Sequence, residues 1–562
     1  MTAFLMEVFY LSFNKARDFR EILVENGQTD VLIWGFGLYF VFRLCVFLYI
    51  FVLGQYKMYI FRKERNNDTK TNGGFVAKEV FAAMFLFNQD RSMINTTLPS
   101  EIEALIDFTK DGGTATLVIL VTNEVVLNKQ VVRVPKRSKK KTASEKLWFD
   151  VQDIREITGR YSCEKLKIII IPQINGKRRA FKQFFEVIGR PEYAPRCRPE
   201  EVAFWFVDGD SEIPKELRNG FIKEAVRPLS LKKKIGGVTL RNVVKLDSQS
   251  PSAIAQISYT KGPQRDFIMQ AIVNVLTGRG SMVIGTIALM KEFQDRIAED
   301  FINHTTKLEV ISFKDNRILF LVNLLYRFIG LFVLYPKQAF YSKTGDDKST
   351  IYHLFKEGWS VRYNPDLYVV CHEDIPWSTK WLPNFWIFQF PALAVRYCRN
   401  SLNNNPRLLA LGMEKLGFTR YVMNWTDRHL FWTPLAGPIS TVFLMHAWGF
   451  DYLYVYMSWI VCTRSLWTFV ICMATRQKWS AFYPIVLYYV QTVLVFVKLW
   501  ALVSPRSSWT RQDAKIENPE APKEIMASLW ILMLIITFVG VKSGVIRIPD
   551  FQELVVMITS LT

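Results

Sequence analysis

The chain has 562 residues, half of them hydrophobic and 14% aromatic, with a formal net charge of +20. Its mean hydropathy is positive and its apolar residues come in long blocks, which excludes an ordinary soluble enzyme and indicates a membrane protein with a large soluble part. The basic charge lies in membrane-flanking or loop segments such as RVPKRSKKK (133–141), and no zinc-finger or RNA-recognition spacing occurs, so anionic headgroups or an anionic substrate fit better than nucleic acid. Seven cysteines without a CxxC pair suit a reducing face and no disulfide framework.

Residues 1–26 contain an amphipathic stretch, with no cleavable signal pattern. Residues 31–56 are expected to span the bilayer, and Lys57, Arg62, Lys63 and Arg65 behind them place the succeeding domain in the cytoplasm. Arg43 falls mid-span, where an arginine is costly and functional by default; snorkelling to the interface is the alternative. After a polar linker at 66–74, strand-like and helix-like segments alternate to about residue 424. Strands are expected at 80–87, 115–122, 167–172 and in FWFVDGD (204–210), and helices at 102–109 and 177–189, which predicts a doubly wound α/β domain. Residues 318–335 read as a buried or membrane-surface helix, and 377–399 as interfacial. Further apolar segments lie at 430–448, 452–475, 481–503 and 525–541, with a polar linker at 504–523.

The chemistry concentrates in a few places. Asp208 and Asp210 end a buried strand around Gly209, where open α/β sheets place ligands, and two carboxylates there suit a divalent cation (Mg2+ or Mn2+) shared with a diphosphate. A solvated β-turn is the alternative. Gly176, Lys177 and Arg178 open a helix and can hold an anion. Gly278 and Gly280 flank an arginine and allow backbone to approach a ligand. Asp346 and Asp347 stand at a helix entry, the place for a positioned general base; an N-cap is the alternative, and both readings can hold for the two aspartates separately. Trp509, Thr510 and Arg511 form a polar loop able to stack on a base and pair with phosphate, or simply to anchor at the interface.

In this order, VDGDSEIP (207–214), TGDDKS (344–349), RYCRNSLNNNPRLLALGMEKLG (396–417), FYPIVLYYVQ (482–491) and SWTRQ (508–512) resemble processive family-2 glycosyltransferases. These are membrane polysaccharide synthases that include cellulose and hyaluronan synthases. Within that group the likeness is greatest to the catalytic subunit of bacterial alginate (mannuronan) synthase, over about residues 80–512.

The resemblance implies a GT-A (Rossmann-like) cytoplasmic domain joined to transmembrane and interfacial helices. The expected divisions are 1–57, an N-terminal segment with a span; 75–375, the glycosyltransferase domain; 376–429, interfacial helices; 430–503, membrane helices; 504–524, a gating loop; and 525–562, a last span and tail. It implies that Asp208 and Asp210 hold metal and sugar nucleotide, that Asp347 is the base beside Asp346, and that Lys177, Arg178, Arg396, Tyr397, Trp509, Thr510 and Arg511 bind the donor. Gly278, Gly280, Arg43 and Arg464 are expected along the acceptor and polymer path. Leu393 and Tyr397 depart from the family's QxxRW, and Thr122-Asn123-Glu124 lacks its early aspartate pair.

A cytoplasmic gating loop requires an even number of spans between domain and loop, so 481–503 is read as interfacial. The implied protein is an inverting, multi-pass enzyme of a bacterial-type inner membrane. It would use a nucleotide-sugar donor, GDP-mannuronate in the alginate reading, extend and export a polysaccharide, and work with a second subunit. The alternatives are a synthase using a UDP-sugar, a lipid-phosphate monosaccharide transferase, and a non-catalytic export scaffold.

Overall fold

The computed structural model describes residues 38–71, 75–86, 91–122, 151–173, 177–230, 232–245, 258–273, 279–284, 346–372, 408–429 and 451–503, with 398, 405 and 445. An eight-stranded mixed sheet lies at its centre, in the order β3-β2-β1-β4-β7-β6-β8-β5. The strands are β1 (Glu79–Leu86), β2 (Thr114–Thr122), β3 (Leu166–Gln173), β4 (Val202–Asp208), β5 (Ser211–Glu212), β6 (Ile235–Lys245), β7 (Arg279–Ile284) and β8 (Ser360–His372). The helices are α1 (Leu38–Thr71), α2 (Arg91–Lys110), α3 (Val151–Gly159), α4 (Lys177–Ile188), α5 (Phe221–Val226), α6 (Pro263–Ala271), α7 (Asp346–Lys356), α8 (Gly412–Leu416), α9 (Phe418–His429), α10 (Asp451–Thr475) and α11 (Tyr483–Val503).

The first four strands are parallel, with β1 pairing β2 on one side and β4 on the other. Their central residues are apolar because both faces are covered by helices. Along β4, Trp205 and Val207 join α2, α3 and α5 on one face, while Phe204 and Phe206 join α4 and α7 on the other. This is the period-two alternation of a strand, and it bears out the α/β, doubly wound expectation for this half of the sheet.

Three features go beyond the sequence expectation. The helix expected at 102–109 starts at Arg91 and carries Pro99 inside it. Proline normally interrupts the hydrogen-bond ladder of a helix interior, and here the helix runs through it. Arg279 and Gly280, from the stretch expected to let backbone approach a ligand, begin β7, which pairs antiparallel with β4 and β6. The long strand β8 contains Pro365 and keeps its pairing to β6 through a register shift there.

Among the described residues two helical segments are long and apolar enough to cross a membrane, Arg43–Asn67 and Tyr456–Thr475. Large apolar side chains stay exposed along both, Val52 at 62% and Met473 at 65% among them. Such exposed apolar surface suits contact with lipid or with a partner surface. The segments expected at 1–26, 318–335, 377–399, 430–448, 504–523 and 525–541 lie outside the described residues, apart from Cys398 and Met445.

Candidate functional site

The parallel strands finish at one level. Phe85 pairs in register with Asp208, Leu86 with Val121, and Val121 with Pro172. The chain leaves β1 towards β2 on one side and meets β4 on the other, so the boundary between β1 and β4 is the switch point where such sheets bind ligands. Asp208 closes β4 at that point. As register partner of Phe85, it faces the side of the sheet that carries α4 and α7.

The turn after Asp208 is fixed from three directions. The Gly209 amide donates to the Phe85 carbonyl at 3.1 Å. The Thr97 hydroxyl donates to the Gly209 carbonyl at 3.1 Å. The His372 amide donates to the Asp210 carbonyl at 2.7 Å, where β5 pairs with β8. The Gly209 amide and the Gly209 and Asp210 carbonyls are thus bonded within the protein, which fixes the course of the backbone that carries the two carboxylates.

Much of this support comes from α2, of which the sequence revealed only a short helix. Ser100 Oγ accepts the Ile213 amide at 3.0 Å. Glu101 Oε2 accepts the Trp205 indole N–H at 2.8 Å, beneath β4. Burial pushes the Glu101 carboxyl up to about 8, against the lowering effects of Trp205 and Arg218. Glu103 holds Arg218 at 2.5 Å, and Arg218 also reaches Glu212, whose other oxygen meets His372 Nε2 at 2.9 Å. Thr97 lies three and four residues before Ser100 and Glu101, and Ser100 three before Glu103, a helical polar stripe visible in the sequence only once the DGD turn is known to be its partner.

The remaining site candidates are spread over the fold. Lys177 and Arg178 are the first two residues of α4, immediately beyond the end of β3. Asp346 and Asp347 open α7, so the expected helix entry is observed. Gly280 lies on β7, while Gly278 lies outside the described residues, as do Arg396, Tyr397, Trp509, Thr510 and Arg511.

Within the first turn of α7, buried Lys348 donates to Asn405 Oδ1 at 3.0 Å. Asn405 Nδ2 donates to Asp427 Oδ2 at 3.0 Å, and Lys498 Nζ donates to Asp427 Oδ1 at 2.5 Å. Burial draws the Lys348 ammonium down to about 8, with Asp427 opposing.

The apolar helices dock on the sheet through residues that composition alone does not flag. Phe47 of α1 stacks on Phe267 of α6 at 5.4 Å and on Trp467 of α10 at 5.0 Å. Gln270 bonds Gln55 and the Ala474 carbonyl. These contacts match 47 with 467 and 55 with 474, so α1 and α10 run in the same direction. Arg43 and Arg464 each lie one turn before the Phe47–Trp467 stack, at one level, and Arg464 lies 5.2 Å from the Trp467 ring.

The buried Asp266 carboxylate of α6 accepts from Tyr363 at 2.8 Å and Gln477 at 2.6 Å and meets Arg241 at 3.0 Å. It therefore joins β6, β8 and the end of α10. Beyond the apolar part of α1, Arg62 and Arg65 pair with Asp366, and Arg65 also pairs with Glu224. These cations, read from sequence as headgroup ligands, are engaged with the sheet domain.

Among the described residues no group of three or more His, Cys, Asp and Glu side chains could hold a metal ion. Two hard carboxylates at a turn still fit an ion that takes its other ligands from diphosphate and water, as Mg2+ commonly does. The fold and site define an α/β protein with an acidic switch-point crevice, docked on helices of membrane-spanning length.

No protein-family model matches the sequence. Glycosyltransferase alg8 of Pseudomonas syringae pv. tomato is 25% identical over 372 residues, 65% of this chain and 66% of that protein. Glycosyltransferase alg8 of Azotobacter vinelandii is 29% identical over 188 residues, 33% of this chain and 37% of that protein. The chain thus spans less than two thirds of the length of the curated relatives it matches. A crystal structure of GalNAc-T7 with UDP, GalNAc and Mn2+ matches 65% of this chain and 58% of that one, at 9% identity and a TM-score of 0.26, a slight likeness. The resemblance carried by the ordered motifs is borne out: this chain is similar to glycosyltransferases of the alg8 kind.

Proposed function

We propose that the protein is a membrane-embedded, processive, inverting glycosyltransferase that polymerises sugars from a nucleotide-sugar donor and exports the product. GDP-mannuronate is the donor in this reading. The observation that carries it is the placement of Asp208 and Asp210 at the switch point of a sheet whose domain is docked through α6 on apolar helices. The curated relatives named glycosyltransferase alg8 support the same reading.

In this reading Asp208 and Asp210 hold a divalent cation, which would offset charge on the leaving diphosphate. Lys177 and Arg178, at the N-terminal end of α4, add cations and helix-end amides on the same face of the sheet. Arg396, Tyr397, Trp509, Thr510 and Arg511 complete the donor contacts as the family pattern has them. Asp347 takes the proton of the acceptor hydroxyl as that oxygen attacks the anomeric carbon, with Asp346 beside it at the start of α7.

The common direction of α1 and α10 supports a topology in which both helices end on the catalytic side. The exposed face of α9, Phe418, Val422 and Trp425 at helical spacing, supports an interfacial position beside α1, to which Thr419 is bonded through Tyr49 at 2.8 Å. Arg43 and Arg464 at one level of parallel helices support a polymer path there, where carboxylates of a polyuronate would compensate them.

Purified membranes are assayed for donor-dependent release of GDP and UDP. Release of GDP from GDP-mannuronate with polymer formation is expected. Release of UDP alone, from a UDP-sugar, replaces the alginate-type donor, and no release with any donor rejects the enzyme. Asp347→Asn is expected to lower polymer formation roughly 10²–10⁴-fold without loss of the protein. Arg464→Leu is expected to impair secretion more than nucleotide release, and equal secretion rejects the path.

A further inference from the structure

The Lys348–Asn405–Asp427–Lys498 chain joins three separate parts of the protein: α7, α9 with the segment before it, and α11. Its members are 57, 22 and 71 residues apart along consecutive links. Nothing in the donor-site geometry requires it, because the DGD turn is held by β1, α2 and β8. Its polarity is consistent from end to end: both ammonium groups donate inward and the Asp427 carboxylate is the terminal acceptor for Lys498 and for the Asn405 amide.

Lys348 is buried and Lys498 is mostly so, whereas 40% of the Asp427 side chain remains accessible. Asp427 is densely surrounded all the same. Burial pushes its carboxyl up, and Lys498 and Lys348 outweigh that and hold it below the usual range. An ion pair this accessible adds little stability after solvent screening. Two buried, oriented lysines spent on one partly open carboxylate are better explained by geometry than by stability. The end of the chain that matters is Lys348, adjacent in sequence to Asp347.

We propose that Asp427 is a positioning residue for the carboxylates that open α7. Through Asn405 it fixes the Lys348 ammonium and with it the first turn of the helix, and Lys498 of α11 fixes Asp427 in turn. The inference rests on the reading of Asp346 and Asp347 as the acid pair of a glycosyl transfer. It assigns a role to Asp427, Asn405 and Lys498, which carry no other part of that reading.

The full chain in detergent is compared as wild type, Asp427→Ala, Asp427→Asn and Lys498→Arg, by donor-dependent nucleoside diphosphate release and by hydrogen exchange of the α7 amides. For Asp427→Ala the expectation is a fall in kcat of roughly tenfold or more per folded molecule, with donor KM within about twofold of wild type, since tenfold corresponds to misplacement worth about 1.4 kcal/mol. Amides of residues 350–352 should exchange faster. Asp427→Asn, which keeps an acceptor for Asn405, should lie between, and Lys498→Arg should stay near wild type.

A merely structural role would lower the thermal midpoint and the folded fraction while leaving kcat per folded molecule and α7 exchange unchanged, and that result overturns the proposal. Unchanged kcat with faster exchange also overturns it. If wild type releases no nucleoside diphosphate from any donor, the glycosyltransferase reading fails. The exchange arm then decides alone: faster exchange in Asp427→Ala upholds the link to α7, and unchanged exchange overturns it.

Discussion

Phe85 and Asp208 are register partners on adjacent parallel strands, and the Phe85 carbonyl accepts the amide of the next residue, Gly209, at 3.1 Å. The pairing sets the acidic turn at the switch point of the sheet. It also makes the turn a continuation of the ladder rather than a loose loop. Donor affinity in this account depends on residues that need never touch the donor.

Thr97 is the first of these. Its hydroxyl donates to the Gly209 carbonyl at 3.1 Å from a fully buried position. Thr97→Val keeps the shape and removes the donor. Leaving that carbonyl unsatisfied costs about 1–3 kcal/mol, expected as a donor KM raised on the order of fivefold or more with kcat little changed. Steady-state kinetics with varied donor check this.

Glu101 gives the fold a pH dependence. Its Oε2 is held by Trp205 and its Oε1 is buried without a hydrogen-bond partner, and burial pushes the carboxyl from 4.5 to about 8. The folded state therefore binds the extra proton, so this contribution to stability is complete below about pH 4.5 and is lost as pH rises towards about 8. Glu101→Gln, neutral at every pH, is expected to flatten the fall in thermal midpoint between pH 5 and 8.5, measured on the same preparation.

Asp266 ties the sheet domain to the apolar helices. Asp266→Ala leaves Tyr363, Gln477 and Arg241 without their common carboxylate. Breaking a buried pair from one side costs about 3–5 kcal/mol. The expected outcome is a lower unfolding midpoint in detergent, together with faster proteolysis between α6 and β6.

The first half of the sheet was legible because its strands are continuous apolar runs ending in turn chemistry, ATLVILVT and FWFVDGD above all. β7 and β8 were not. Gly280 and Pro365 are residues that ordinarily argue against a strand, and only their partners β4, β6 and the bulge opposite Leu240 accommodate them. The DGD and DDK acids were legible as types, yet the stripe Thr97–Ser100–Glu101–Glu103 was not, because its partners lie more than a hundred residues away. Arg62 and Arg65 show the same limit: a basic flank reads alike whether it meets lipid headgroups or Asp366.

The most direct test is donor-dependent nucleoside diphosphate release by Asp210→Asn beside wild type, in the presence of Mg2+ or Mn2+, with folding followed in parallel. The account predicts release lowered by about a hundredfold or more with the unfolding midpoint unchanged. Release at the wild-type rate would contradict it.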